Sequence, residues 1–356
     1  MKVKNKVIVF SAVVSALLWG VLAANGFEQA LSLTAALTLL IAILWVTEAL
    51  PIPVTSLIPF VAFPMAGVID YKEAASALGS HVILLLMGAF MLSKALEKSG
   101  VHRRIAVYML RLCGASSAKR LVLGFMLTSA VLSMWISNTA TTLMLLPIAM
   151  AIITSMNSPK LAAALLLGIA YSASLGGVGT PIGTPPNIIF MSVYQQTTGT
   201  ELSFINWMMT GVPIVLIAIP VMAFWLTRKL SDMPECDLPK AGDWRPAEKR
   251  VLTVFGIVAL AWIFRPYWSV WMGMTLVSDS TIAIAGVVLM FLVPNGDKEK
   301  PDHLLDWKTA EAIPWGMLLL FAGGICMAKA FTASGLSLLL GEENYEYFKI
   351  FSNSFI

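Results

Sequence analysis

The sequence predicts an all-α polytopic membrane protein with repeated halves, a re-entrant hairpin and broken helices. Three observations lead there. Of 356 residues, 58% are hydrophobic and 12% charged, far more apolar than a soluble domain of this length. Uncharged apolar windows of about 18 residues recur along the chain, the length that a hydrocarbon core of roughly 30 Å demands of a helix. One stretch of the first half also returns in the second.

Taken in order, about eight hydrophobic units are legible, some of them broken. The opening "MKVKNK" and the apolar run Val7 to Ala24 lack a small-residue cleavage site, so they read as a first membrane segment and not a signal peptide. The early Lys residues favour a cytoplasmic N-terminus. Ala30 to Leu50 ends in "WVTEALPIP", Val54 to Ile69 is a unit with prolines near both ends, and His81 to Leu92 follows. Beyond it Lys94, Lys98, Arg103, Arg104, Arg111, Lys119 and Arg120 gather on one membrane face. Residues 1–229 form the N-terminal half, with a hairpin over about 121–155 and a broken helix over about 161–195. Residues 230–250 are a polar, Pro-rich cytoplasmic linker and 251–356 an incomplete second repeat.

Composition excludes several classes of function. Cys113, Cys236 and Cys326 are odd in number and far apart, which suits neither a disulfide framework nor a metal site. His81, His102 and His303 form no cluster. The net charge of +4 sits in loops, without the basic face and interleaved aromatics of a nucleic-acid binder. No carboxylate pair, nucleophile with base, or proton relay lies in the apolar segments, which argues against an intramembrane enzyme.

Leu84 to Val101 set against Leu319 to Leu336, a constant offset of 235, matches Leu84/Leu319, Leu85/Leu320, Gly88/Gly323, Lys94/Lys329, Ala95/Ala330, Ser99/Ser334 and Gly100/Gly335. Coincidence between two apolar helices ending in polar loops is the competing explanation. Lys94 and Lys329 read as snorkelling anchors before a Gly turn, and Glu48 as an interfacial carboxylate at a helix end.

Between Leu121 and Thr200 the only formal charge is Lys160, yet Ser, Thr, Asn, Gly and Pro are dense. Non-helical backbone at membrane depth is tolerated only where it is buried in protein or faces a water-filled cavity. Ser137, Asn138 and Thr139 lie between two apolar runs suited to hairpin arms. Their neutral oxygens would ligate Na⁺, and the free N–H groups and positive dipole end of the second arm would suit an anion. Alternatively, the hydroxyls bond back to their own helix and the Asn packs against a neighbour. In "SLGGVGTPIGTPPNII", four Gly (176, 177, 179, 183) and three Pro (181, 185, 186) break any regular helix. Thr184 is the expected N-cap with Pro185 at the first helical position. Leu161 to Ser172 looks too short for a full crossing, which favours an unwound loop within the membrane over one at its surface.

Together "LSMWISNTATTLMLLPIAMAII" and "LLLGIAYSASLGGVGTPIGTPPNIIF" resemble the divalent anion/sodium symporter family, as do "WVTEALPIPVTSLIP" and "EKSGVHRRIA". The likeness runs from about Ala30 to Lys229, more loosely to Leu340. It implies an inverted-repeat transporter of dicarboxylate, citrate or sulfate that works by elevator-type displacement. By this resemblance Ser137, Asn138, Thr139, Thr184 and Pro185 face the substrate, while Ser133, Ser137, Asn138 and Gly183 supply oxygens to a sodium ion. It also implies a homodimer in the bacterial inner membrane, in contact with lipid, with Na⁺ as coupling ion and no other cofactor. The second SNT hairpin of the family would fall near position 372, beyond Ile356, so a C-terminal truncation is expected. Ser352, Asn353 and Ser354 read as a coincidence. Two other readings remain: a transport-incompetent fragment, and an oxyanion permease of the same fold.

Overall fold

Helices account for every regular element in the computed structural model, which describes residues 2–114, 116–230 and 242–341. In chain order they are α1 (Lys2–Ala24), α2 (Gln29–Thr47), α3 (Ile52–Thr55), α4 (Ile58–Met65), α5 (Tyr71–Leu78), α6 (His81–Ser99), α7 (Val101–Cys113), α8 (Ala118–Ser133) and α9 (Asn138–Met156). There follow α10 (Pro159–Gly177), α11 (Pro185–Thr198), α12 (Phe204–Thr227), α13 (Pro246–Ile263), α14 (Arg265–Trp271), α15 (Asp279–Leu292), α16 (Trp307–Ala310) and α17 (Trp315–Ala333). Among the described residues the only strand-like feature is an isolated bridge between Pro294 and His303. Among the described residues, seven helical spans are long and apolar enough to cross a membrane, or eight if α13 and α14, bent by 79°, count as one. The chain is a multi-pass integral membrane protein.

Two compact units divide the helices, one of Met1–Ile83 with Pro314–Ile356 and the other of Leu84–Ile313. In the first unit α17 lies against α3 because Gly323 and Gly316 lack side chains. A Cβ on Gly323 would stand 2.5 Å from the Ser56 carbonyl oxygen, and one on Gly316 2.8 Å from Pro53. Phe63, Ile69, Ala74, Ala77, Cys326 and Ala330 form the core beneath. Pro51 and Pro53 break the chain after α2, so Val54 to Ile69 folds as two short helices and not as a span. Glu48 caps α2 in the left-handed region, exposed at the helix end as expected.

The second unit is organised around α8 and α10. Gly176 packs so closely on Ala130 that a Cβ would overlap its carbonyl, and the Ser129 hydroxyl donates to Ile169 O at 2.9 Å. That close approach extends α10 to Gly177, nineteen residues in all, so the expectation of a segment too short to cross is corrected. The two glycines that were read as breaking the helix instead seat its last turn. Elsewhere Gly88 fits against Ala283 and Gly286 against Val258. A polar junction joins α6, α7 and α13: Lys98 pairs with Asp302 and Asp306 at 2.6 Å, and Arg104 and Arg245 both pair with Glu248 at 3.0 Å. Hydrogen bonding to the Lys98 ammonium holds both aspartates below the usual carboxylate range, so these pairs persist through neutral pH. Burial pushes the His102 imidazole below its ordinary value, so the neutral ring donates from Nδ1 to Leu96 O.

Local structure repeats as the sequence does. α6 and α17 are each nineteen residues long, and the glycines that follow, Gly100 and Gly335, have φ of 76° and 75°. A similar cap precedes each of these helices, at an offset of 236 and so one residue out of register with the repeat. Asp70 caps Glu73 N at 2.6 Å and Asp306 caps Thr309 N at 2.9 Å, each followed by an aromatic, a Lys and, at the fourth position, a buried Ala. Lys94 and Lys329 are not free anchors: Lys94 pairs with Glu97 at 2.7 Å and Lys329 donates to Ser76 Oγ at 2.5 Å. The stretch 246–250, assigned to the linker from sequence, is the first turn of α13. Linker residues 231–241, Cys236 among them, and Ser352, Asn353 and Ser354 lie outside the described residues.

Gly176→Ala is expected to cost about 1–3 kcal/mol by driving a methyl into Ala130. Gly256→Ala, with nothing within 4 Å, should be neutral or slightly stabilising. Thermal unfolding in detergent compares them, and equal melting temperatures would contradict the α8–α10 packing.

Candidate functional site

Two interruptions of helix meet in the second unit. The first is the turn between α8 and α9. α8 ends at Ser133, and Met134, Trp135 and Ile136 turn the chain through amide bonds to Ala130 O and Leu132 O. Ser137 is the N-cap of α9, its hydroxyl accepting from Ala140 N at 3.2 Å. Thr141 N reaches Ser137 O at 3.0 Å, which leaves the amides of Asn138 and Thr139 as the outward donors of that helix end. Asn138 lies against Gly177 at the end of α10. Its Oδ1 accepts from the buried Ser133 hydroxyl at 2.5 Å, folding the side chain back across the turn.

The second interruption runs from Val178 to Thr184, between α10 and α11. Buried peptide groups released from a helix need partners, and here side chains supply several of them. Asn187 Nδ2 donates to both Gly177 O and Thr180 O at 2.8 Å, and Trp207 Nε1 donates to Val178 O at 2.8 Å. Thr180 Oγ1 donates to Met134 O at 2.5 Å, tying this loop to the first turn. Sequence reasoning missed Thr180, Asn187 and Trp207. For Asn187 a signal existed, since it is an amide side chain immediately after two prolines in the apolar "GTPPNII" string. Trp207 carried no signal, because its partner lies 29 positions away.

The two interruptions meet at Gly177. The point where a Cβ on Gly177 would sit is 3.1 Å from Asn138 Oδ1, 3.2 Å from Gly183 O and 3.2 Å from Thr184 Cβ. Of the seven residues expected at the site, Ser133, Asn138, Gly183 and Thr184 therefore converge directly, with Ser133 joined through Asn138. Ser137 and Thr139 are exposed on the first turn of α9, and Pro185 is half-buried at the start of α11. Oxygens from a hydroxyl, an amide and a peptide carbonyl are the donor set of a hard monovalent cation, and no ionisable side chain is among them.

The helix ends beside these oxygens differ in chemistry. α9 begins with amides that can bind an anion directly. α11 begins with Pro185 and Pro186, which have no N–H, and Asn187 N is turned inward to Thr184 O at 3.1 Å. The Thr184 hydroxyl makes no capping bond, so this end offers a hydroxyl and the helix dipole instead of a row of amides.

Residues 42–345 match the citrate transporter family, CitMHS. The chain is 38% identical over 331 residues to the sodium-dependent dicarboxylate transporter SdcS of Staphylococcus saprophyticus, and equally to that of Staphylococcus aureus strain USA300. Each match covers 86% of this chain and 64% of the relative, so the chain spans just under two thirds of the length of the curated relatives it matches.

Asn187→Leu should remove the side-chain donor from Gly177 O and leave Thr180 O with only the longer bond from Gly183 N, at a cost of about 1–3 kcal/mol. Thermal unfolding beside wild type measures it, and a melting temperature unchanged within error would mean that Asn187 does not hold the loop.

Proposed function

The chain belongs to the citrate transporter family, and from that premise we propose that it performs sodium-coupled symport of a divalent anion, a C4-dicarboxylate such as succinate or malate. The observation that carries this reading is the convergence of Asn138 Oδ1 and Gly183 O at Gly177, with the start of α9 alongside. In our reading Ser133, Ser137, Asn138 and Gly183 provide oxygens to Na⁺. The substrate carboxylate meets Ser137, Asn138 and Thr139 at the start of α9, and Thr184 and Pro185 at the start of α11.

Coupling follows from electrostatics. A doubly charged substrate cannot enter a low-dielectric cavity of neutral groups without a counter-charge. A sodium ion held about 4 Å from a carboxylate returns roughly 4 kcal/mol at an effective dielectric constant of 20. Each ligand therefore raises the affinity of the other, by the same factor in both directions. A fixed Lys or Arg would give comparable attraction but would stay behind when the anion leaves. Neutral oxygens let the charge travel with the cargo, so transport needs no bond made or broken and no resident cofactor.

We further propose that the protein works as a homodimer in the bacterial plasma membrane, surrounded by lipid, and moves the site by an elevator-type displacement. The dicarboxylate assignment is supported by the names of the staphylococcal relatives, while the family's description points to citrate. Competition by citrate and sulfate separates these substrates.

Radiolabelled succinate uptake into proteoliposomes, with an inward Na⁺ gradient and a K⁺ control, is the test. Sodium-dependent accumulation is expected, with at least about a tenfold loss in Asn138→Ala, on the scale of one or two charge-assisted contacts. Uptake equal in Na⁺ and K⁺, or unchanged in Asn138→Ala, would refute the cation site. Uptake seen only when the chain is extended to the length of its relatives would assign transport to the longer protein.

A further inference from the structure

The sodium and substrate residues lie on α8–α9 and α10–α11, yet a fifth helix touches both interruptions. Phe204, Trp207 and Gly211 fall at i, i+3 and i+7 of α12 and so share one face. Phe204 is fully buried and stacks on Trp135, the residue two before Ser137, with ring centres 6.3 Å apart. Trp207 donates its indole N–H to Val178 O at 2.8 Å and sets its ring edge-on to Phe190 of α11 at 5.8 Å. One turn on, Gly211 allows α12 to approach the same Val178 carbonyl so closely that a Cβ would overlap it.

The first turn of α12 is itself anchored. Ser203 caps it through Asn206 N at 3.3 Å, and Glu201 pairs with Arg265 at 2.6 Å. Phe204 stacks in parallel on the wholly buried Trp262 at 5.2 Å, and Trp262 Nε1 is bound to Asp279 O at 2.9 Å. Trp135 is further met edge-on by Phe255 at 5.6 Å. The hairpin turn and the broken-helix loop thus rest on one rigid helix face, each through a single aromatic residue.

We infer that Phe204 and Trp207 are positioning residues for the cation site: α12 sets the distance between Asn138 Oδ1, on the turn, and Gly183 O, in the loop. Neither residue touches the ligand. The inference rests on the sodium-site reading, because a coordination shell shared between two chain interruptions is only as selective as the spacing between them. Trp207→Phe keeps an aromatic ring against Phe190 and deletes only the donor to Val178 O. Phe204→Leu keeps an apolar group in the buried position and deletes the stacks on Trp135 and Trp262.

The test is the rise in melting temperature of the purified chain as Na⁺ replaces K⁺ at constant ionic strength, read as a sodium midpoint. Each variant is expected to raise that midpoint about threefold to tenfold while melting close to wild type in K⁺, as loss of one aligning contact would. Trp225→Phe, an exposed Trp on the same helix, should leave the midpoint unchanged. Wild-type midpoints in both variants, with a normal sodium response in the parent, would overturn the positioning role and leave the symport reading standing. No sodium response in the parent would overturn both. Failure of both variants to fold, unrescued by sodium, would make them simple core residues and also overturn the inference.

Discussion

A peptide carbonyl released from its helix inside a bilayer has no water to turn to, and the rest of this structure depends on how that need is met. At the α10–α11 interruption the donors are the Asn187 amide and the Trp207 indole, and Thr180 spends its hydroxyl on the neighbouring turn at Met134. Once those carbonyls are satisfied, Gly183 O is the oxygen left facing Gly177 and Asn138. The site is what remains after the backbone's own requirements have been served, which is why it is built from so few residues.

Charge is kept away from that point with some consistency. Lys98, Asp302, Asp306, Arg104, Arg245 and Glu248 pair among themselves at the polar junction of α6, α7 and α13. Such exposed and half-exposed pairs add little stability individually. Glu248, nearly buried between two guanidinium groups, is the exception, since removing either partner would strand a charge. Ionisable side chains thus pair at the junction, while the meeting point of the two interruptions holds only neutral groups.

Close backbone packing is the other recurring device. Gly176 on Ala130, Gly211 on Val178 and Gly323 on Ser56 each bring a helix within contact of another segment's peptide groups. In a bilayer, where lipid tails are as apolar as Leu, this kind of contact holds helices together more than burial of large side chains does. It also explains why α12 bears so directly on the interrupted loop: at Gly211 nothing but backbone separates them.

The sequence alone determined the class of the molecule and the chemistry of its site. Hydropathy over windows of membrane length, the repeat from Leu84 and Leu319, and small polar residues where apolar ones were required are local or pairwise signals, and a chain can be read for them directly. Thr184 at the N-cap of α11 was legible for the same reason, since helix starts depend on neighbours a few residues away. Only the tertiary structure decided that Gly176 and Gly177 continue a helix, that the Lys329 ammonium donates to Ser76, and that Asn187 and Trp207 hold the interrupted loop. Those outcomes turn on which segment lies alongside which. A glycine that breaks an isolated helix is an asset where another backbone must approach, and an indole nitrogen acquires its purpose from a carbonyl far away in sequence.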